Sequence, residues 1–138
     1  ILEWAKHNLD FDLPRIKELV KQLDPAATIN EHSLYRAVLN GYVSKQYDES
    51  GKLLGMGWIF PRQTALRKQA VIEDMIVDQE QRGKGLGQMI LADLLSWAKK
   101  EGVEVVELTS GWHRTAAHAL YQKNGFQIHD TAHMLLKL

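Results

Sequence analysis

Apolar residues recur at helical spacing near the start of the chain: Ile16, Leu19, Val20 and Leu23 follow an Asp12-Leu13-Pro14 entry. Asp12 reads as the N-cap, because its carboxylate can accept from first-turn amides, and Pro14 fits a position that needs no N–H. Asp24-Pro25 ends this helix, since proline disfavours helical geometry in the residue before it. A shorter helix is predicted over residues 33–39, closed by Asn40-Gly41. Strand signals follow. Residues 42–47 and 52–60 flank Asp48-Glu49-Ser50-Gly51, a hairpin turn whose glycine takes positive φ. Residues 70–77 form a third strand, apolar on both faces.

A polar, glycine-rich loop over residues 79–87 then leads into a helix over 86–101. Leu86, Met89, Ile90, Leu94, Trp97 and Ala98 give that helix a wide apolar stripe, and Lys99 and Lys100 suit its C-terminal dipole. Gly102 supplies the residue after it. Residues 103–109 predict a strand with apolar residues on both faces, hence covered on both sides. A short helix over 115–124, ended by Gly125, precedes a last strand pair at 126–130 and 131–138. The order α, β, β, β, α, β, α, β predicts an α/β fold of the α+β kind, a mixed sheet with helices packed on it.

Composition sets limits on function. The chain has 138 residues, enough for one core and too few for two, so a single domain over 1–138 is expected. Seventeen Lys and Arg balance seventeen Asp and Glu, so no basic field favours nucleic acid. Arg62, Arg67 and Lys68 cluster at a hairpin tip, which explains them without a nucleic-acid role. No apolar run reaches the roughly 18 residues of a membrane span. Ile1–Trp4 is followed by Lys6, His7, Asp10 and Asp12, which is not a signal peptide's apolar stretch, and the lack of cysteine fits an expected cytoplasmic address. The absence of cysteine removes disulfides, thiolate metal sites and a thiol nucleophile together. No metal is expected either: His113/His118 and His129/His133 lack zinc spacing, the latter pair lying about 13 Å apart on a strand.

The most informative stretch is Gln81-Arg82-Gly83-Lys84-Gly85-Leu86-Gly87, between a buried strand and an amphipathic helix. Free amides at a helix N-terminus, glycines that permit close approach and two basic residues make a cradle for phosphate or pyrophosphate. It is not a P-loop, because Lys84 is followed by glycine rather than Ser or Thr, and it does not complete a G-x-G-x-x-G fingerprint. What fits is Arg82-x-x-Gly85-x-Gly87 behind the strand Val71-Ile72-Glu73-Asp74-Met75-Ile76-Val77. This resembles the signature of the GNAT superfamily of acetyl-CoA-dependent N-acetyltransferases. Leu120-Tyr121-Gln122-Lys123-Asn124-Gly125-Phe126 is similar to that family's C-terminal element, and the resemblance covers roughly residues 70–130.

The resemblance implies the GNAT acyl-CoA N-acyltransferase fold, with a central, mostly antiparallel, splayed sheet and helices on both faces. It implies that the amides of Arg82, Gly83, Lys84, Gly85, Leu86 and Gly87, with Gln88, hold the pyrophosphate of acetyl-CoA. The main chain of Met75, Ile76 and Val77 would pair with the pantetheine arm as an added strand, the Ile76 N–H polarising the thioester carbonyl. Seven residues before the tyrosine, many relatives carry Asn where this chain has Arg114, which could serve either donor or acceptor. Relatives often pair as homodimers through their C-terminal strands, for which residues 129–138 are available.

An alkylamine has a pKa of about 10, so a general base is useful, as is an acid for the departing thiolate. Glu73 and Asp74 interrupt an apolar strand, where desolvation raises a carboxylate toward a base's working range. Strand alternation lets at most one of them face a given cleft directly. Glu73 is the expected base, with Asp74, His118 or a water as alternatives. Tyr121 is the expected acid, protonated at neutral pH. Asp74, Trp112 and His113 are the expected acceptor contacts. With no cysteine, direct transfer in a ternary complex is expected, to a small-molecule primary amine. A peptide or protein acetyltransferase and a non-catalytic acyl-CoA-binding module are the alternatives.

Overall fold

The computed structural model describes residues 12–138; the expectation built on Ile1–Trp4, Lys6, His7 and Asp10 falls outside them. The elements run α1 (Leu13–Leu23), α2 (Glu31–Asn40), β1 (Tyr42–Tyr47), β2 (Leu53–Gln63), β3 (Lys68–Val77), a 3-10 turn (Gln79–Gln81), α3 (Leu86–Lys100), β4 (Val105–Glu107) and α4 (Thr115–Lys123). The sheet order is β1-β2-β3-β4, the first three strands antiparallel and β4 parallel to β3. Two cores sandwich it. Ile16, Leu19 and Tyr35 of α1 and α2 pack on Leu53, Met56, Trp58 and Ile76. On the other face Ile90, Leu91, Leu94 and Ala98 of α3 pack on Ile59, Ala70 and Ile72. The expected mixed, mostly antiparallel sheet with helices on both faces is thus the observed one.

Helix α3 lies close to the sheet because β2 carries glycines beneath it. A Cβ on Gly57 would sit 2.8 Å from Ile90 Cγ2 and 3.2 Å from Leu94 Cδ1, and one on Gly55 would sit 3.0 Å from Ile90 Cδ1. Ile90 and Leu94, both with essentially no exposure, fill the space those side chains would have taken.

Four expectations are corrected. Asp12 precedes α1, yet its side chain makes no cap. Its buried carboxylate instead accepts from Lys45 Nζ at 2.8 Å and Tyr47 Oη at 2.7 Å, tying the helix start to β1. A charged donor on a neighbouring strand outcompetes the local amides. Helix α2 starts earlier than expected, at Glu31, because Asn30 caps it by accepting from the Ser33 amide at 3.1 Å. The strand expected over 103–109 shrinks to three residues and is not covered on both sides, Val105 being 37% exposed. Residues 126–138 form no strand pair: β4 stops at Glu107, no ladder is offered to them, and Ile128, Met134, Leu135 and Leu136 stay exposed. Apolar patterning makes a strand only where a neighbouring edge supplies hydrogen bonds.

Candidate active site

Strand β3 holds one residue more than its partner. Met56 pairs with Ile76 but Trp58 pairs with Glu73, so Gly57 faces both Asp74 and Met75, a β-bulge. Asp74 absorbs it with φ +50°, a left-handed conformation that Asp tolerates better than most side chains. The inside-outside sense of the strand reverses here. Ala70 and Ile72 face α3, whereas after the bulge Met75 and Val77 face α3 and Ile76 turns to α1. Consequently Glu73 and Asp74 both line the same cleft, against the alternation expected from an unbroken strand.

The cleft exists because the sheet parts. β3 and β4 pair only at Gln69↔Val105, Ala70↔Val106 and Val71↔Glu107. Beyond Val71 one edge of β3 meets no strand among the described residues, and its backbone groups are open to an extended ligand. The cleft measures ≈ 620 Å³. Ile72, Glu73, Asp74 and Met75 line one wall, and Leu108, Thr109, Ser110, Arg114 and Tyr121 line another.

Its titratable groups are perturbed in ways that suit proton transfer. Burial raises the Glu73 pKa above the ordinary carboxylate value, and the charge of Asp74 beside it raises it further. Burial raises Asp74 as well. Neither has a hydrogen-bond or ion-pair partner among the described residues, so a cation or amine entering the cleft meets two uncommitted carboxylates. Burial also raises the Tyr121 phenol, with the Arg114 charge opposing it, so the hydroxyl keeps its proton at neutral pH. Its ring stands edge-on to Phe126 at 5.8 Å.

The glycine loop lies at the end of β3. Asp78, buried, accepts from the Glu80 amide at 3.1 Å and pairs with Arg15 of α1, whose Nε donates to Leu53 O at 2.7 Å. Arg15 pulls the Asp78 pKa below the usual carboxylate range. The loop is thereby pinned to α1 and the sheet. Gly83 and Gly85 take φ +79° and +81°, with no other heavy atom within 4 Å of where a Cβ would stand, so the turn has open space above it. The first amide bonded within α3 is that of Met89, donated to Gly85 O at 3.1 Å. The amides of Leu86, Gly87 and Gln88 precede it and have no helical acceptor. Free amides, two positive-φ glycines and the charges of Arg82 and Lys84 fit a pyrophosphate.

Other expected residues fare differently. The Gln88 side chain is turned away to Asn124 of the α4 terminus, by hydrogen bonds of 3.0 and 2.7 Å, which leaves only its main chain for a ligand. Trp112 and His113 are not among the residues lining the cleft; Trp112 is 76% exposed and stacks edge-on with His118 at 5.8 Å. His118 does not line it either. Asp24 and His133 do, though neither stood out in the sequence. Asp24 reads there as a helix stop and His133 as a strand residue, and only tertiary structure brings them to β3. Among the described residues no His, Asp and Glu group is arranged to hold a metal ion, and no helix is long and apolar enough to cross a membrane.

A sequence profile of the Acetyltransferase (GNAT) family matches residues 4–126. Over 104 residues, 70% of this chain, the sequence is 30% identical to N-acetyltransferase family 8 member 3 of Rattus norvegicus, covering 46% of that protein. It is 41% identical over 58 residues to the uncharacterized N-acetyltransferase YhdJ of Bacillus subtilis, 41% of either chain. The chain thus spans less than half the length of these two relatives. Among solved structures, a tetramutant of the BH1408 protein of Bacillus halodurans superposes with TM-score 0.81 at 26% identity, over 93% of this chain and 95% of that one.

Proposed function

The chain belongs to the acetyltransferase (GNAT) family, and from that premise we propose that it is an N-acetyltransferase moving acetyl from acetyl-CoA to a primary amine of a small molecule. The observation that carries the proposal is one continuous arrangement. An open anion cradle at the start of α3 is followed by an unpaired edge of β3, and that edge leads to a cleft holding two uncommitted carboxylates and a half-buried phenol. Bound acetyl-CoA supplies the thioester-activated acetyl group. The amides of Gly83 to Gln88, with Arg82 and Lys84, hold its phosphates, and the main chain of Met75, Ile76 and Val77 holds its arm. Arg114 lies beside Tyr121 and is available to either substrate.

Glu73 takes a proton from the incoming ammonium, directly or through a water, and its raised pKa matches that task. Asp74 keeps that pKa high and attracts the cationic acceptor. Tyr121 holds its proton for the departing sulfur. No residue of the chain is a cysteine, so direct transfer needs no acyl-enzyme, and positioning supplies most of the rate. The two uncommitted carboxylates of the cleft support a cationic amine as the acceptor. Exposed Ile128, Met134, Leu135 and Leu136 support pairing of two copies through the C-terminal segment, and the cysteine-free composition agrees with a cytoplasmic address.

Release of free thiol from acetyl-CoA across a panel of amines tests this, the protein having no thiol of its own. Amine-dependent release is expected, and Tyr121→Phe should lower turnover more than acetyl-CoA affinity. Tight acetyl-CoA binding without release for any amine would make the chain a binding module instead, and absence of binding would overturn the reading of the cradle.

A further inference from the structure

Tyr121 stands on the least anchored helix of the second core. No residue of α4 is fully buried, and no strand ladder reaches it. Its C-terminal half packs on the second core and meets the first turn of α3 at two adjacent points. Leu120 Cδ2 comes within 3.2 Å of where a Cβ on Gly87 would be, so the leucine rests on a bare stretch of helix. Beside it, Gln88 Nε2 donates to Asn124 Oδ1 at 3.0 Å and Asn124 Nδ2 donates to Gln88 Oε1 at 2.7 Å. The second hydrogen of Asn124 Nδ2 goes to Leu120 O at 2.8 Å, which fixes the side chain against the end of its own helix. Two half-buried amides are thus bonded reciprocally. Such a pair resists both sliding and rotation, which a single hydrogen bond does not.

The location of this joint matters because of what each helix carries. Leu86, Gly87 and Gln88 present the free amides of the anion cradle. Tyr121 is the neighbour of Leu120 and lies one helical turn before the cap residue Asn124. If the cleft binds acetyl-CoA as proposed above, one molecule reaches from the cradle to the phenol, and its covalent length is fixed. The two grips must then be held at one matching separation, since misplacement of about 1 Å can cost roughly 100-fold in rate.

We propose that Gln88 and Asn124 are positioning residues, their reciprocal amide pair setting the spacing between the phosphate-binding turn and Tyr121. Neither touches the reacting atoms. Both are neutral, so the spacing is maintained while Glu73 titrates.

The test measures kcat, KM for acetyl-CoA and the pH dependence of kcat for Gln88→Ala, Asn124→Ala and Asn124→Asp, each with Tyr121 and with Phe at position 121. Asn124→Asp keeps the acceptor for Gln88 Nε2 and loses both donations, so it weakens the joint with little change in volume. Each variant should lose about tenfold in kcat, and for the two alanine variants, which add no charge, KM for acetyl-CoA should stay within about threefold and the pH midpoint should not move. Combining Gln88→Ala with Asn124→Ala should cost no more than either alone. In the Tyr121→Phe background the further loss should vanish, because the joint acts through the tyrosine. Unchanged kcat per folded molecule would overturn the proposal. An equal loss in both backgrounds would overturn it too, since that marks a general structural role. If Tyr121→Phe alone leaves kcat unchanged while amine-dependent turnover persists, the tyrosine has no role to be positioned for and the inference falls, the acetyltransferase reading surviving. If no amine is turned over by the unmodified protein, that reading fails first and the inference with it.

Discussion

Substituting Gly57 with alanine tests the packing that holds α3 over the sheet. Glycine in a strand ordinarily costs about 0.5–1 kcal/mol relative to alanine through backbone entropy, so in open space Gly57→Ala would stabilise. Here the new methyl would stand 2.8 Å from Ile90 Cγ2, 3.1 Å from Met75 Cγ and 3.2 Å from Leu94 Cδ1. Carbon atoms prefer roughly 3.5–4.0 Å, so three side chains must give way, one of them by most of an ångström. Ile90 and Leu94 lie in a closed core. Overpacking of this kind costs about 1–3 kcal/mol. The net loss should be about 1–2 kcal/mol, seen in urea unfolding as a lower midpoint at unchanged slope. For a chain of this length that corresponds to a Tm lower by roughly 4–8 °C. The identity of the clashing atom gives a sharper check. Ile90→Leu removes the Cγ2 branch and should recover about half of the loss in the Gly57→Ala background. Ile90→Val keeps that branch and should recover none. A Gly57→Ala protein at least as stable as the parent, or equal recovery by the two Ile90 substitutions, would refute the close approach.

Activity should rise with pH through a limb set by Glu73 at a pKa above the ordinary carboxylate value, because only the ionised form accepts the proton. Asp74→Asn removes a neighbouring negative charge, so its kcat/KM profile should shift to lower pH, whereas Glu73→Gln should abolish the limb; an upward shift would contradict the coupling. Gly85→Ala forces a left-handed φ on alanine without a clash, so about 1 kcal/mol of stability should be lost and KM for acetyl-CoA should rise several-fold. Asp78→Asn should cost about 2 kcal/mol at neutral pH by weakening the hold of Arg15 on the glycine loop. The Asp78 pKa is depressed in the folded chain, so its contribution is present above the unfolded carboxylate value and lost as pH falls through the folded one. The Asn variant should therefore differ from the parent at pH 7 and converge with it in strong acid, as thermal melts at the two pH values would show.

Much of this could be read from residue types whose local physics leaves few options. Pro14 and the spacing of Ile16, Leu19 and Leu23 set α1, and the glycines around Lys84 set an open turn at the start of α3. The bulge was hidden because Met75, Ile76 and Val77 are all apolar. With both faces of the sheet buried, no polar residue marks the parity change, and the pairing of Glu73 with Asp74 in one cleft could not be foreseen. Trp112 attracts notice as an aromatic in a loop at a strand end, yet a loop tip can turn such a ring to solvent. Residues 126–138 carry strand-like patterning, but pairing depends on an edge elsewhere in the chain, which a local pattern does not report. Gln88 is a natural ligand contact by position, and only the arrival of Asn124 from a distant segment commits its side chain elsewhere.

The bulge at Asp74 also bears on how the fold could lose its chemistry. Deleting that single residue would restore strict alternation while leaving Met75, Ile76 and Val77 on the sides of the sheet they already occupy. Because each of the three keeps the core it packs in now, such a shortened chain can still bury them. That wall of the cleft would hold at most one carboxylate, Glu73. A one-codon deletion therefore offers a short mutational route from the proposed acetyltransferase to a folded descendant without the paired carboxylates.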